Sequence, residues 1–303
     1  MRDPQPDFRP IPGAAETLAP GLRRVLAPNP SPMTFRGTNT YLLGESDLAI
    51  IDPGPLDMQH LTAILDAIGS ARVTAICVTH AHVDHSPLAK TLSERVDAPI
   101  YAFSDAQGGR SAVMQDLAQS GLVGGGEGVD AAFRPDICLA DGDELRSAGW
   151  SLRAIHTPGH FGNHLSFAWD TTLFCGDLVM GWASSLVSPP DGDLTDFMAS
   201  CRRLRDGTWS VFHSGHGAPI TAPQERLDWL IRHRLSRETA VLEALETGPA
   251  TSTELAQRIY TDTPTPLMPA AARNVLAHLI DLYGKNRVSP VEHLSADAPF
   301  ELT

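Results

Sequence analysis

The sequence predicts an α/β domain followed by a small, mostly helical domain. Between residues 40 and 103, short apolar runs alternate with amphipathic segments of helical periodicity, which is typical of sheets covered by helices. After Pro219 the apolar residues recur almost only at helical spacing. A chain of 303 residues also has room for two domains of ordinary size. We therefore place the α/β domain at residues 1–220 and the helical domain at residues 221–303.

The composition restricts the class of protein. Hydrophobic residues make up 42% of the chain and charged residues 19%, so a sizeable core can form and wholesale disorder is excluded. No run reaches the ~18 apolar residues that a membrane helix needs, and the first residues lack the apolar segment of a secretory signal. The four cysteines are scattered without a CxxC pair, which is typical of reduced thiols and predicts a cytoplasmic protein.

The first half of the α/β domain alternates between strand and helix patterns. The first 30 residues are rich in proline and are expected to be irregular. In one helical segment, Ser86 is expected at the N-cap and Pro87 at the first helical position. The expected elements are a hairpin over residues 40–52, a helix over 58–69, a strand over 73–80, a helix over 86–96 and a strand over 99–103.

The second half of the domain begins with a segment of weak periodicity. Residues 104–143 predict a helix and then a mobile loop that contains the glycine-rich run 124–128, either a solvated linker or a substrate lid. Apolar runs then predict further strands over residues 152–157, 165–169, 172–177 and 210–217.

The last segment predicts three helices and a short strand. Residues 223–248 carry an amphipathic pattern, and a further helix is expected over residues 269–283. Between them, Thr251 and Glu254 have the spacing of a capping box that opens a short helix. This small bundle resembles a winged-helix module.

A dense set of metal-ligating residue types follows the buried strand at residues 73–80. His80, His82, Asp84 and His85 lie within six residues, where the carboxyl end of a strand faces the mouth of an α/β fold. Zinc binds both histidine nitrogen and aspartate oxygen. The i, i+2 spacing of His80 and His82 lets both side chains point the same way from an extended turn.

Three further candidates occur where later strands are expected to end. His160 follows a Pro-Gly turn, Asp177 follows a glycine, and His216 lies in a tight turn flanked by glycines. Seven candidate ligands at junctions between strands and loops predict a metal site.

These residues resemble the ligand set of the metallo-β-lactamase superfamily, in which an HxHxDH motif is followed by a histidine, an aspartate and a histidine. The resemblance extends over residues 28–290, and the segment 264–288 is similar to the tail of the lactamase-beta-2-like branch, which joins this fold to a winged helix. It implies an αββα metallo-β-lactamase sandwich followed by a winged-helix-like domain.

The resemblance also implies two divalent metal ions. His80, His82 and His160 would hold the first ion, whereas the second would be held by Asp84, His85 and His216. Asp177 would bridge them, as in the glyoxalase-II and lactonase branches and unlike the true β-lactamases. Zinc is the first expectation for the metal, and iron or manganese also suit such ligands.

The implied activity is hydrolysis by a metal-bridging hydroxide, with Asp84 as the catalytic residue that orients the nucleophile and shuttles its proton. The expected substrate is a small ester, thioester or lactone. The alternative is a phosphodiesterase that cuts single-stranded RNA, as one relative in this branch does.

The charge of the chain bears on its partners. The formal net charge is −13, and residues 221–303 alone hold 8 Lys/Arg and 11 Asp/Glu. Nucleic-acid affinity depends largely on cationic side chains that neutralise phosphates, so nucleic acid is a disfavoured partner and a small molecule is expected instead. No membrane partner is expected, and the helical tail is interpreted as a packing or homodimerisation element.

Several other polar residues allow two interpretations. His156 is interpreted as packing in a strand, whereas His164 either positions a metal ligand or has no role at the site. Asn39 either binds near the site or starts a strand. Cys175 lies in an apolar strand and is interpreted as a buried structural thiol. The arginines of residues 202–205 form either a solvated helix face or a clamp for an anionic substrate.

Overall fold

Two β-sheets form the centre of the larger domain in the computed structural model, which describes residues 3–124 and 128–303. The first sheet has seven strands in chain order, antiparallel from β1 to β4 and parallel from β4 to β7. Its strands are β1 (Ala15–Ala19), β2 (Leu22–Leu26), β3 (Asn39–Leu43), β4 (Asp47–Ile51), β5 (Arg72–Cys77), β6 (Ile100–Ala102) and β7 (Ile137–Cys138).

The second sheet has five strands in the order β12-β11-β10-β9-β8. These are β8 (Glu144–Ser147), β9 (Trp150–His156), β10 (Leu165–Trp169), β11 (Thr172–Gly176) and β12 (Val211–Ser214). The pair β11–β12 is parallel and the other pairs are antiparallel. The two parallel strands therefore end at the same edge of this sheet.

Helices cover the outer face of each sheet. Side chains from both sheets, such as Leu43 and Phe167, form the core between them. The helices α1 (Met58–Ile68) and α2 (Leu88–Val96) pack on the first sheet. The second sheet packs against α4 (Leu194–Arg205) and the start of the next helix. The αββα sandwich expected from the sequence is thereby confirmed.

The start of α2 differs from the prediction by one residue. Pro87, and not Ser86, occupies the N-cap position, and no side chain caps the helix. The Ser86 hydroxyl instead donates to Asp130 at 2.8 Å and lies 3.2 Å from the carbonyl oxygen of His82. Ser86 therefore stabilises the preceding histidine-rich loop and not the helix end.

Several elements of the larger domain were not predicted from the sequence, namely β1, β2, β7, β8 and α4. The first 30 residues, expected to be irregular, contain β1 and β2, which pair with each other. The helix α4 begins after Asp193, whose side chain accepts a hydrogen bond from the Thr195 N–H at 2.8 Å. Its buried face includes Phe197 and Leu204, so the arginines at its end lie on the last turn of an amphipathic helix.

The segment of residues 104–143 contains one helix, α3 (Ala112–Gln119), and β7. Met114 and Leu117 of α3 pack against Leu276 and Ile280 from the C-terminal part of the chain. The glycine-rich run 124–128, predicted as a mobile loop or lid, includes residues 125–127, which lie outside the described residues.

The C-terminal part has the predicted helices and adds a second short strand. Its elements are α5 (Pro223–Leu245), α6 (Ser252–Ile259), α7 (Met268–Gly284), β13 (Val288–Pro290) and β14 (Phe300–Leu302), with a 3₁₀ turn before α7 at Thr265–Leu267. Thr251 and Glu254 form the expected capping box.

The long helix α5 takes part in two cores. Leu227 and Leu230 near its start pack with α4 on the second sheet, whereas Val241 and Leu245 near its end pack with α6 and α7. The division at residue 220 stays a prediction, because the helix that follows it joins both parts. None of the helices among the described residues combines the length and apolar character that crossing a bilayer requires.

Candidate metal centre

The seven residues singled out in the sequence lie together at one edge of the sandwich. His80, His82, Asp84 and His85 occupy the loop between β5 and α2, and the others follow β9, β11 and β12. All seven side chains are buried. They form two groups, His80, His82 and His160 in one, and Asp84, His85, Asp177 and His216 in the other.

The first group brings three imidazole nitrogens together. Nε2 of His80 lies 2.9 Å from Nδ1 of His82, and Nε2 of His160 lies 3.1 Å from the same Nδ1. One cation can therefore contact all three nitrogens.

The second group combines two imidazoles and two carboxylates. Nε2 of His216 lies 3.1 Å from Oδ2 of Asp84 and 3.2 Å from Oδ2 of Asp177. Nε2 of His85 lies 3.5 Å from a carboxylate oxygen of each aspartate. All four ligand atoms lie within 4.8 Å of one another.

Asp177 lies between the two groups. Its Oδ2 atom is 3.2 Å from Nε2 of His216 in the second group and 3.9 Å from Nε2 of His160 in the first. A carboxylate in this position can contact a cation in either group.

Backbone carbonyl groups fix the orientation of two of the imidazoles. Nδ1 of His160 lies 2.7 Å from the carbonyl oxygen of Leu186, and Nδ1 of His216 lies 3.1 Å from that of Gly37. Because a carbonyl oxygen only accepts, each Nδ1 carries the hydrogen and donates it. In the neutral rings, Nε2 therefore presents its lone pair to the group.

Asp52 and Thr79 fix the orientation of two more imidazoles. Asp52 accepts hydrogen bonds from the Thr79 N–H at 2.7 Å, from the Thr79 hydroxyl at 2.8 Å and from Nδ1 of His85 at 2.9 Å. The Thr79 oxygen, having donated its hydrogen to Asp52, accepts from Nδ1 of His80 at 2.9 Å. The Nε2 atoms of His80 and His85 also face inward as acceptors when these rings are neutral.

These contacts fit a pair of divalent cations. Four imidazoles held with Nε2 inward and two carboxylates form a set of donors to a metal. Oδ1 of Asp84 and Oδ1 of Asp177 are buried and have no hydrogen-bond partner among the described residues. Buried carboxylate oxygens without a partner are costly, and a bound cation would satisfy them.

The electrostatics of the two groups differ. In the first, burial lowers the pKa of His82 to about 3 and that of His80 well below its ordinary value. In the second, burial also acts to lower the pKa of His216, but the nearby carboxylates outweigh it and raise this pKa to about 10. A cation bound in the second group would take the place of the proton on that ring.

Cys175 and His164 lie outside both groups. The Cys175 thiol is buried and lies 3.2 Å from the carbonyl oxygen of Val179. His164 contacts Thr157 at 2.9 Å, with its ring centroid 5.2 Å from that of His80.

The arginines at the end of α4 also lie away from the candidate ligands. Arg203 pairs with Asp141 at 2.9 Å, and no arginine of residues 202–205 lines the cavity that opens onto the candidate ligands.

Asn39 and Asp52 support the site without belonging to either group. The Asn39 side chain donates to the carbonyl oxygens of Ser214 and Gly217, at 3.1 and 3.0 Å, and so holds the turn that carries His216. Sequence reasoning did not assign a role to Asp52. The signal available for it was an aspartate directly after an apolar strand and before a Pro-Gly turn.

A cavity of about 590 Å³ opens onto the candidate ligands His82, Asp84, His160, Asp177 and His216. Apolar side chains form much of its wall, and they come from both parts of the chain: Met33, Phe35, Met180, Trp182 and Leu186 before α5, and Leu267, Ala270 and Ala271 after it. No lysine or arginine lines the cavity among the described residues.

The loop that carries Leu186 is held by the C-terminal helices. Arg234 of α5 is buried and donates to the carbonyl oxygen of Ser185 and, at 2.9 Å, to Oδ1 of Asn274 on α7. The Val187 N–H donates to the same Oδ1 at 3.2 Å. The carbonyl group that orients His160 is therefore flanked by two residues bonded to the C-terminal part.

Comparison with known protein families gives two matches along the chain. Residues 33–216 match the model of the metallo-beta-lactamase superfamily. Residues 251–293 match the model of the beta-lactamase associated winged helix domain. The order of the two matches is that of the two parts of the fold.

The chain is also similar to individual proteins. It is 32% identical to a beta-lactamase-like protein 2 homolog of Drosophila melanogaster, over 95% of both chains. It is 29% identical to an atrochrysone carboxyl ACP thioesterase of Aspergillus fumigatus, over 81% of this chain and 75% of the other. A beta-lactamase domain protein from Burkholderia ambifaria has the same fold, with a TM-score of 0.80 at 21% identity, over 99% of this chain and 96% of the other.

Proposed function

This chain belongs to the metallo-beta-lactamase superfamily and is a metallo-hydrolase, and from this premise we propose that it hydrolyses a small ester, thioester or lactone with two divalent metal ions. The observation that carries the proposal is the common inward orientation of His80, His85, His160 and His216. Each of these rings has a hydrogen-bond partner on Nδ1 that leaves Nε2 facing the carboxylates or the other imidazoles.

The proposed metal ligands follow the two groups of side chains. His80, His82 and His160 would hold one ion, and Asp84, His85 and His216 the other, with Asp177 shared. Zinc is our proposal for the metal, because it suits imidazole and carboxylate ligands together. Two such ions would supply Lewis acidity and lower the pKa of a bound water.

Asp84 is the proposed catalytic carboxylate. Its Oδ2 atom faces His216 at 3.1 Å, whereas its Oδ1 atom has no partner among the described residues, and the residue lines the cavity. It can accept the proton of the attacking water and pass it to the leaving group. In hydrolysis of a thioester, the water oxygen bonds to the acyl carbon, the carbon–sulfur bond breaks, and the thiol leaves with that proton.

Two observations favour an acyl substrate over RNA. A curated relative at 29% identity is named as a thioesterase. The cavity has no cationic side chain among its described lining residues, and the chain has a net charge of −13. A polyanion such as RNA gains most of its affinity from lysine and arginine contacts to phosphate.

The test is a turnover panel on metal-loaded protein, with the chelated protein and Asp84→Asn beside it. We expect thioester or lactone hydrolysis that falls at least about a hundredfold in Asp84→Asn, and no cleavage of labelled single-stranded RNA. Asp66→Asn, an exposed carboxylate on α1, serves as the matched control and should retain activity. RNA cleavage that depends on Asp84, without acyl turnover, would refute the proposal.

A further inference from the structure

Much of the wall of the cavity beside the candidate ligands is apolar and aromatic, although Asp3 and a few uncharged polar residues also line it. Phe35 and Trp182 stack with ring centroids 5.0 Å apart and an angle of 18° between their planes, which gives a flat apolar surface. Met33, Met180 and Leu186 also line the cavity. Apolar walls of this kind gain free energy when they exclude water with an apolar group of the ligand.

The C-terminal part contributes the rest of the wall. Tyr260, at the end of α6, and Leu267, in the 3₁₀ turn before α7, line the cavity together with Ala270 on α7. These side chains lie more than 40 residues after His216 in the sequence, and none of them belongs to the two groups of candidate ligands. They can therefore contact a part of the substrate without holding a metal.

The arginines near the cavity are engaged elsewhere. Arg36 pairs with Asp3 at 2.6 Å, and Arg226 donates to the backbone of Met180 at 2.7 Å and of Ala183 at 2.5 Å. Arg234 is buried and bonds to Ser185 and Asn274. These three arginines therefore bind backbone carbonyl groups and other side chains, and not an anionic group of a ligand in the cavity.

The volume of the cavity suits a bulky acyl group better than a small one. A cavity of about 590 Å³ is within the range of sites that enclose a ligand of drug size, and an acetyl group would leave most of it filled with water. Water against an apolar wall is displaced favourably by a larger apolar group.

We propose, resting on the function proposed above, that this cavity binds the acyl part of the substrate and selects a bulky, uncharged, aliphatic or aromatic acyl group. The acyl carbon lies at the candidate metal ligands, and its apolar chain extends along Phe35 and Trp182 to Leu267 and Ala270. Specificity is then set in part by the C-terminal part of the chain.

The first measurement compares neutral thioesters that share one thiol. We expect kcat/KM for acetyl, butanoyl and octanoyl thioesters of N-acetylcysteamine to rise with chain length, by at least about tenfold from butanoyl to octanoyl, since each buried methylene adds a factor of about two to four. The benzoyl thioester should also exceed the acetyl thioester.

The second measurement uses a variant with a charged side chain in the cavity wall. Leu267→Asp should lower kcat/KM for the octanoyl thioester at least about tenfold more than for the acetyl thioester, because a long apolar chain would strip water from the new carboxylate without offering it a hydrogen-bond partner. Leu235→Asp on the exposed face of α5 is the matched control and should leave this ratio unchanged. Equal melting temperatures of the two variants would show that both remain folded.

A binding measurement supplies a readout that needs no turnover. Calorimetric titration of the metal-loaded protein with octanamide should show binding with a negative heat-capacity change, and Leu267→Asp should weaken it. Turnover without dependence on chain length, or an unchanged ratio in Leu267→Asp, would overturn this proposal and leave the proposed function standing. Failure of every thioester, ester and lactone to turn over would overturn both.

Discussion

The carbonyl oxygen of Leu186 lies 2.7 Å from Nδ1 of His160, and the residues on either side of Leu186 are bonded to the C-terminal helices. Arg234 and Asn274 thus act on a candidate metal ligand through one stretch of loop, although both lie far from the ligand in the sequence. Groups that orient a metal ligand in this way affect metal affinity without touching the metal.

Replacement of Arg234 should weaken metal binding by the first group. In Arg234→Met the hydrogen bonds to Ser185 and Asn274 are lost, so the loop that orients His160 is less constrained, and we expect roughly tenfold weaker zinc affinity in that group. Competition with a chromophoric chelator measures it. Arg232→Met, on the exposed face of the same helix, is the control and should bind zinc as the unaltered chain does.

Replacement of Asp52 should weaken metal binding by the second group. Asp52→Asn removes the carboxylate that holds Nδ1 of His85 at 2.9 Å, and we expect zinc affinity to fall by a factor of about 10 to 100. Elemental analysis after dialysis should then find fewer than two metal ions per chain. The loss should fall mainly on the second group, because Asp52 bonds directly to His85 but reaches His80 only through Thr79. Two tightly held ions in this variant would contradict the role assigned to Asp52.

The absence of a side chain at Gly215 is a steric requirement of the site. A Cβ atom there would lie 2.3 Å from Oδ1 of Asp177 and 2.5 Å from Cε1 of His85. We expect Gly215→Ala to reduce hydrolysis at least about a hundredfold and to weaken binding of the second metal ion. Gly284→Ala is the control, since a Cβ atom there meets nothing within 4 Å, and full activity is expected.

A buried histidine away from the metal centre should make stability depend on pH. His60 contacts Thr40 at 2.8 Å, and burial lowers its pKa to about 4 in the folded chain, below the ordinary value of 6.5. The unfolded chain therefore binds a proton as the pH falls below 6.5, while the folded chain does so only near pH 4. The contribution of His60 to the free energy of unfolding is fully present above pH 6.5 and is lost as the pH falls towards 4.

Urea unfolding at about pH 7.5 and about pH 4.5 tests this contribution. When the pH is lowered from about 7.5 to about 4.5, the free energy of unfolding of the unaltered chain should fall by about 2 kcal/mol more than that of His60→Leu. Identical pH profiles for His60→Leu and the unaltered chain would contradict the argument.

The histidine-rich loop could be predicted from sequence because its ligand types are close together and follow an apolar strand. His160, Asp177 and His216 could be found because each follows a strand pattern with a turn residue nearby. The strand pairing that brings them to one edge is a tertiary property. The carbonyl groups of Gly37 and Leu186, which orient two of the rings, leave no residue-specific signal, since any residue can supply a carbonyl oxygen.

Two of the differences from the prediction depend on contacts outside the element itself. Strand β1 has an exposed or half-buried pattern, AETLA, and is stabilised by its pairing with β2. The cap at Ser86 was wrong because its hydroxyl bonds to Asp130, 44 residues further along the chain. Local patterns cannot contain such contacts, because both partners must first be brought together by the fold.

Helix α5 packs in two cores, and the cavity takes its wall from both sides of that helix. The candidate metal ligands all precede α5, whereas Leu267 and Ala270 follow it. Substitutions of these cavity residues after α5 can therefore change substrate specificity without replacing a candidate metal ligand. Substrate specificity can therefore change through single substitutions in the C-terminal part. A chimera that takes its C-terminal part from a relative must keep the contacts of α5 to remain folded.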